Sequence, residues 1–253
     1  MTLAAVVVGV LIVIGVGYSQ LSGAGNGAAL VNPGIAYPVS LQHANTLGSS
    51  AAPVKLEVYD DFQCPYCAES AITSEPAIVS KYVIPGRVQL VHHDFEWIGT
   101  TSPGRESRLA AAVAICAEQQ GKYWDYAHWV FANQIGENVG SFTQERLTRI
   151  ATAAGLDATA FGACIGRSDV LAQVDANTAA FTPIVAAHGG TPMYFINGTF
   201  AGAGYQTADQ LSTLLNAALA GGTTAPASAG PETSAGPTAS PTGPSASPAG
   251  SAP

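Results

Sequence analysis

The chain has 253 residues, with 9 Lys and Arg against 17 Asp and Glu, a net charge of −8 and only 10% charged positions. Such a balance repels a phosphate backbone, which argues against a nucleic-acid partner. Four cysteines behind an apolar export segment suit an oxidising, extracytoplasmic compartment, where two disulfides can persist.

Residues 1–54 contain no Asp, Glu, Lys or Arg, and Leu3–Tyr18 is apolar or glycine throughout. That run is at the lower limit of a bilayer span, so residues 1–21 read as a membrane anchor or a cleaved export signal, the near-spanning length favouring the anchor. No basic residue precedes Leu3 to assist insertion. Residues 22–50 read as a polar, Gly/Asn-rich linker. Residues 51–220 are enough for one domain with its own core. The far end, 221–253, is Pro, Ala, Ser, Thr and Gly with one charge at Glu232, and should stay disordered because it buries too little to offset chain entropy.

Within the domain, Val54–Tyr59 alternates as a β-strand and leads directly into Cys64-Pro65-Tyr66-Cys67. A helix from Pro65 to about Lys81 follows, bent or interrupted near Pro76. Pro85-Gly86 marks a turn and Arg87–Phe95 a second strand, which completes a βαβ unit. From Ser102 to about Arg167 the pattern is helical, over Glu106–Gln120, Lys122–Asn133, Thr143–Ala154 and Asp157–Ile165. Tyr123, Trp124, Tyr126, Trp129 and Phe131 recur at helical spacing and read as core. Asp169–His188 is a further helix ended by Gly189-Gly190. Thr191-Pro192, a strand Met193–Ile196, an Asn197-Gly198 hairpin turn, a strand Thr199–Ala203 and a helix Thr207–Ala220 close the domain. The order predicts a mixed α/β sheet covered by helices, with a helical insertion at about 101–167.

The chemistry concentrates at Cys64 and Cys67. A helix N-terminus presents unpaired N–H groups and partial positive charge, which favour thiolate over thiol. Pro65 suits the first helical turn, and Cys67 returns to the same end of the helix, close enough to form a small disulfide ring. A redox pair accounts for this better than a structural bridge, which more often closes a longer loop. Zinc wants four ligands, whereas Cys116 and Cys164 are isolated from each other. His92 and His93 would face opposite sides of a strand. No metal or cofactor is expected.

Three segments, Tyr59–Cys67 (YDDFQCPYC), Gly121–Trp124 (GKYW) and Gly190–Gly198 (GTPMYFING), resemble the DsbA-like branch of the thioredoxin fold, a group of exported or membrane-anchored bacterial thiol–disulfide oxidoreductases. The resemblance implies that Pro192 is cis and faces the CxxC, that Thr191, Pro192, Pro65 and Tyr66 form the substrate surface, and that Cys116 and Cys164 join as a structural disulfide. Its substrates would be thiols of exported proteins, and a quinone-linked membrane protein of the DsbB or VKOR type would reoxidise it. One departure stands out. Thioredoxin-fold enzymes often bury a carboxylate six positions before the nucleophile, where this chain has Val58; Glu57 is one residue earlier, and a one-residue shift on a strand reverses the face.

Disulfide exchange through Cys64, the more exposed sulfur at the helix end, with Cys67 as the buried partner, is the expected reaction. Asp60, Asp61 and Glu69 would oppose thiolate formation if close, giving an intermediate oxidant. A reductase or isomerase on the same scaffold, and a chaperone or other binding module with an incidental CxxC, are the alternatives.

Overall fold

The computed structural model describes residues 27–102 and 104–221. The segment expected to be an anchor and the tail beyond Gly221 lie outside these residues. Within them, no helix is long and apolar enough to cross a membrane.

Six strands form one mixed sheet among the described residues: β1 (Gln42–His43), β2 (Thr46–Leu47), β3 (Val54–Asp60), β4 (Val88–Asp94), β5 (Met193–Ile196) and β6 (Thr199–Ala203), in the order β1-β2-β4-β3-β5-β6. Strands β3 and β4 run parallel in the centre, and the remaining pairs are antiparallel. The βαβ unit is therefore the spine of the fold. Along β3, Val54, Leu56, Val58 and Asp60 are buried, while Lys55, Glu57 and Tyr59 point to the other face. The buried set predicts which face meets the main core.

The helical run after β3, here α1, covers residues 65–83. It is α-helical over Pro65–Glu69 and Glu75–Ile78 and π-helical over Ser70–Ser74 and Val79–Val83. Pro76 lacks an N–H to continue an α-helical ladder, and the wider turn just before it shifts the hydrogen-bond register so that the run continues. The interruption expected near Pro76 is thus a change of helix type within a continuous run.

The helices α2 (Glu106–Glu118), α3 (Tyr123–Phe131), α4 (Gln144–Ala153) and α5 (Ala158–Cys164) build the insertion. Helix α6 (Ser168–His188) then packs on the outer sheet face, and α7 (Ala208–Leu219) packs beside α1. Local chemistry sets these boundaries. Asp157 accepts from Ala160 N at 2.8 Å to cap α5, Thr207 and Gln210 form a capping box on α7, and Gly189 at φ +101° ends α6. Tyr123, Trp124, Tyr126 and Phe131 are core residues, with Trp129 half-buried against them.

The linker expected at 22–50 requires correction over its second half. Residues 39–47 fold as a 3₁₀ turn and the β1–β2 hairpin, and Leu47 opposite Leu90 is completely buried. Leu30, Tyr37 and Leu41 also pack on the core, and Asn133 ties Val31 down through bonds of 2.8 and 2.9 Å. Isolated apolar residues in a polar stretch carry no period, yet each one finds the edge of β4 or the insertion. Leu47→Ala should destabilise the domain by about 2–5 kcal/mol in denaturant unfolding, where a true linker residue would show almost nothing.

Cys116 of α2 and Cys164 of α5 are joined, with Cα atoms 5.8 Å apart and a sequence separation of 48. Closing a loop of that size is worth about 3–4 kcal/mol in the chain-entropy model. Replacing both by Ser should lower the free energy of unfolding by that order, and the thermal midpoint with it, while leaving thiol exchange at Cys64 largely intact; an unchanged midpoint would remove the stabilising role.

Candidate active site

Strand β3 ends at Asp60, and the chain turns through Asp61-Phe62-Gln63 into the N-terminus of α1. Cys64 is the cap residue, extended at φ −70° and ψ 120°, with Pro65 in the first helical turn. Asp61 fixes this turn. Its buried carboxylate accepts from Gln63 N at 2.7 Å, Ser107 Oγ at 2.6 Å, Trp97 N at 2.7 Å and Ile98 N at 2.6 Å. Burial pushes the carboxyl up to about 6, against the pull of these four donors. The insertion holds the same turn from above. Gln134 Nε2 donates to Phe62 O and, at 3.1 Å, to Cys64 O, while Gln63 Oε1 accepts from Asn138 N at 2.6 Å.

Both cysteines of the pair are free thiols. Cys64 is 4% exposed and Cys67 1%, so Cys64 is the more exposed of the two as expected, although Thr191 and the insertion leave little of it open. The Cys64 thiol donates to Thr191 O at 3.4 Å. The Thr191–Pro192 peptide is cis, and both residues are buried next to the pair, whereas Pro65 and Tyr66 are exposed on the rim. The site thus brings together Cys64, Cys67 and Thr191-Pro192, while Cys116 and Cys164 lie apart as the structural bridge.

The two thiols are unlike. Cys64 is held below the ordinary thiol range because the Cys67 thiol donates to it. Thr191 and the N–H groups of Cys67 and Tyr66 help, and burial opposes them. Cys67 is pushed well above it by burial first, then by the neighbouring Cys64 and by the charge of Asp60, with only the Asp61 N–H acting in the other direction. The nearby acid therefore acts on Cys67, and Asp61, saturated with donors, holds the turn.

Beneath Cys67 lies a polar network that sequence reading missed. Glu75 Oε2 meets His92 Nε2 at 2.8 Å; Glu75 Oε1 meets His128 Nε2 at 3.1 Å and accepts from Tyr37 Oη at 2.9 Å. On its other side His92 Nδ1 meets Asp60 Oδ2 at 2.8 Å. Burial works against the charged form of Glu75, but the two histidines hold it well below the usual carboxylate range. Burial likewise opposes charge on His92, and Glu75 and Asp60 together raise it well above an ordinary histidine. The alternation of β3 puts Asp60 on the buried face, and His92 beside Val58 in register shares it. No local pattern names Glu75 as their partner. Glu57 is on the opposite face, 3.0 Å from Lys55 Nζ and 3.3 Å from His93 Nε2. The face reversal anticipated for it holds, as does the opposed pointing of His92 and His93.

Asp60, His92 and Asp94 offer three ligand atoms within 4.8 Å of one another. His92 Nδ1 and Asp60 Oδ2 are already an ion pair at 2.8 Å, closer than two ligands on one tetrahedral metal ion sit.

Comparison with known proteins places this geometry. The profile of the family described as thioredoxin matches residues 41–217. A protein of Bacillus cereus named probable disulfide bond formation protein D is 33% identical over 103 residues, covering 41% of this chain and 44% of that protein. Its counterpart from Bacillus anthracis is 31% identical over 105 residues, covering 42% of this chain and 47% of that one. The chain thus aligns with less than half the length of these curated relatives. Among solved structures, oxidised BdbD from Bacillus subtilis superposes with a TM-score of 0.61 at 18% identity, covering 72% of this chain and 95% of that one. Oxidised Mtb DsbA gives 0.56 at 21% identity, covering 70% and 92%. At these identities the structures establish a shared fold: a thioredoxin-like mixed sheet with inserted helices.

The contrast between the thiols sets an order of reaction. Alkylation of the reduced protein near pH 6 should label Cys64 ahead of Cys67, because the Cys64 thiolate is populated below the pH at which a free thiol ionises. Labelling of Cys67 should require higher pH or unfolding. Peptide mass spectrometry reads the order directly, and Cys67 labelled first would reverse the assignment.

Proposed function

The chain belongs to the thioredoxin family, and from that membership we propose that it is a DsbA-like thiol–disulfide oxidoreductase that oxidises cysteine pairs in exported proteins. The observation that carries this reading is the pair itself: a Cys64 thiol held low at the start of α1, in contact with a buried Cys67 thiol held high. The names of the Bacillus relatives, which refer to disulfide bond formation, support the same reading.

In the oxidised form, a substrate thiolate attacks Cys64 Sγ. The Cys64–Cys67 bond breaks, its electron pair stays on Cys67, and Cys67 is protonated. The second substrate thiolate then attacks the substrate sulfur of the mixed disulfide, and Cys64 departs as a thiolate. The substrate leaves oxidised by two electrons and the protein is left as a dithiol. Stabilising the Cys64 thiolate favours the reduced protein, and hence the oxidising direction. The exposed Pro65 and Tyr66, with the backbone at Thr191-Pro192, form the surface against which an extended substrate lies. An N-terminal anchor would hold the domain on the extracytoplasmic side, within reach of a quinone-linked reoxidase of the DsbB or VKOR type.

Cys67→Ser should accumulate mixed disulfides through Cys64 when presented with a reduced two-cysteine peptide, and Cys64→Ser should accumulate almost none. Wild-type protein should oxidise the peptide stoichiometrically. A reduction potential near that of thioredoxin, about −270 mV, would turn the reading toward a reductase. Absence of any exchange would leave a binding module.

A further inference from the structure

Of the six large hydrophobic side chains exposed among the described residues, four stand around one rim: Val31, Tyr66, Ile135 and Val139. Hydrogen bonds fix their nearness. Val31 N donates to Asn133 Oδ1 at 2.8 Å, and Val31 O accepts from Asn133 Nδ2 at 2.9 Å. The next residue, Gln134, donates to Cys64 O at 3.1 Å, and Asn138 N donates to Gln63 Oε1 at 2.6 Å. The loop between Gln134 and Asn138 is thus pinned to the turn that carries Cys64, with Ile135 and Val139 exposed upon it. Single apolar side chains on a surface are ordinary, but a cluster of this kind marks a contact.

Resting on the N-terminal anchor of the reading above, we propose that Val31, Ile135 and Val139 lie on the bilayer surface among the lipid headgroups. The mouth of the Cys64 site is then held beside the membrane, and the substrate surface at Pro65, Tyr66 and Thr191-Pro192 opens along it.

The point of attachment is the first support. The apolar run Leu3–Tyr18 ends eight residues before Gly27, and eight extended residues reach at most about 29 Å. From there the chain is fastened at once to the insertion: Arg149 donates to Ala28 O at 2.8 Å, and Asn133 holds Val31 from both sides. A domain tethered so briefly at this rim brings the rim, rather than its opposite end, to the membrane. The tether therefore favours lipid as the occupant over a partner that must arrive by diffusion.

Charge is the second support. Residues 27–41 carry no Asp, Glu, Lys or Arg, nor do residues 97–102, which Gly99 places against Asn138. Residues 132–143 carry one, the exposed Glu137, on a chain of net charge −8. Anionic headgroups repel an acidic domain except where it offers an uncharged face, so the face beside the cysteines is the one that can approach. Tyr66 at its border has the ring and hydroxyl that suit a membrane–water boundary.

The test places full-length protein in vesicles of phosphatidylcholine and phosphatidylglycerol, part of the lipid carrying bromine high on its acyl chains to quench nearby indoles. Ile135→Trp and Val139→Trp proteins are compared with the wild type, whose own tryptophans give the background. Ile84→Trp is the control, at the far end of α1, roughly 25–30 Å from the cysteines. The added emission of the Ile135→Trp and Val139→Trp proteins should shift to the blue in vesicles and be quenched by the brominated lipid, whereas that of Ile84→Trp should be unaffected. Combining Val139→Glu with Ile135→Trp should abolish the quenching, while oxidation of a soluble two-cysteine peptide in detergent stays at the wild-type rate. Absence of quenching in the Ile135→Trp and Val139→Trp proteins, or equal quenching in Ile84→Trp, overturns the orientation. Shielding of the Ile135→Trp indole from a water-soluble quencher that grows with the protein-to-lipid ratio, without quenching by lipid, would assign the face to a second copy and overturn it too. Flotation separates the two readings. Protein that does not float with the vesicles removes the anchor and this orientation with it; protein that floats unquenched removes the orientation alone.

Discussion

The fold converges on one buried carboxylate. Glu75 on α1 is bound by His92 from β4, His128 from α3 and Tyr37 from the segment before the sheet. An ionised carboxylate is costly to bury alone, and removing any partner would leave charge in a site of low dielectric. The helix that carries the cysteines, the central strand, the insertion and the N-terminal segment therefore have to meet at one point for the charges to balance. This is why the insertion is an integral part of the domain, although its helices are joined to the sheet by long connections.

The same economy of partners separates the two sulfurs. Both thiols are buried, so desolvation alone would raise both. Cys64 escapes because donors converge on it, from Cys67 and from the helix end. Cys67 has the Asp60 charge and little to offset it. Three positions apart at the start of one helix, they face opposite electrostatic surroundings, and the difference comes from β3 and the Thr191-Pro192 loop.

Much of this was legible in the chain. The CxxC after a β-patterned run, the Pro85-Gly86 turn and the second strand give the parallel pair at the centre of the sheet, and the Asn197-Gly198 turn gives the last hairpin. The helices of the insertion announce themselves by their aromatic and alanine spacing. The β1–β2 hairpin did not, because two-residue strands hold no period and their burial is decided by β4. The coverage of Cys64 was also hidden: Gln134 and Thr191 reach it from 70 and 127 residues away, a proximity that only the folded chain creates. The Glu75–His92–Asp60 network failed for a third reason. Each residue is an ordinary polar side chain in its own segment, and only the joint geometry makes it unusual.

The π-helical turn at Ser70–Ser74 has a consequence for the length of the chain. A π turn holds one residue more than the α turn it replaces. Deleting a residue there would let the backbone settle into an uninterrupted α-helix, an ostensible local gain. Everything after it would then rotate by about 100° about the helix axis relative to Cys64 and Cys67. Glu75 would swing away from His92 and His128, and Pro76 would fall inside an α-helical ladder that it cannot complete. The spacing of eight residues between Cys67 and Glu75 is therefore as fixed as the identity of either, although neither segment shows any local reason for it.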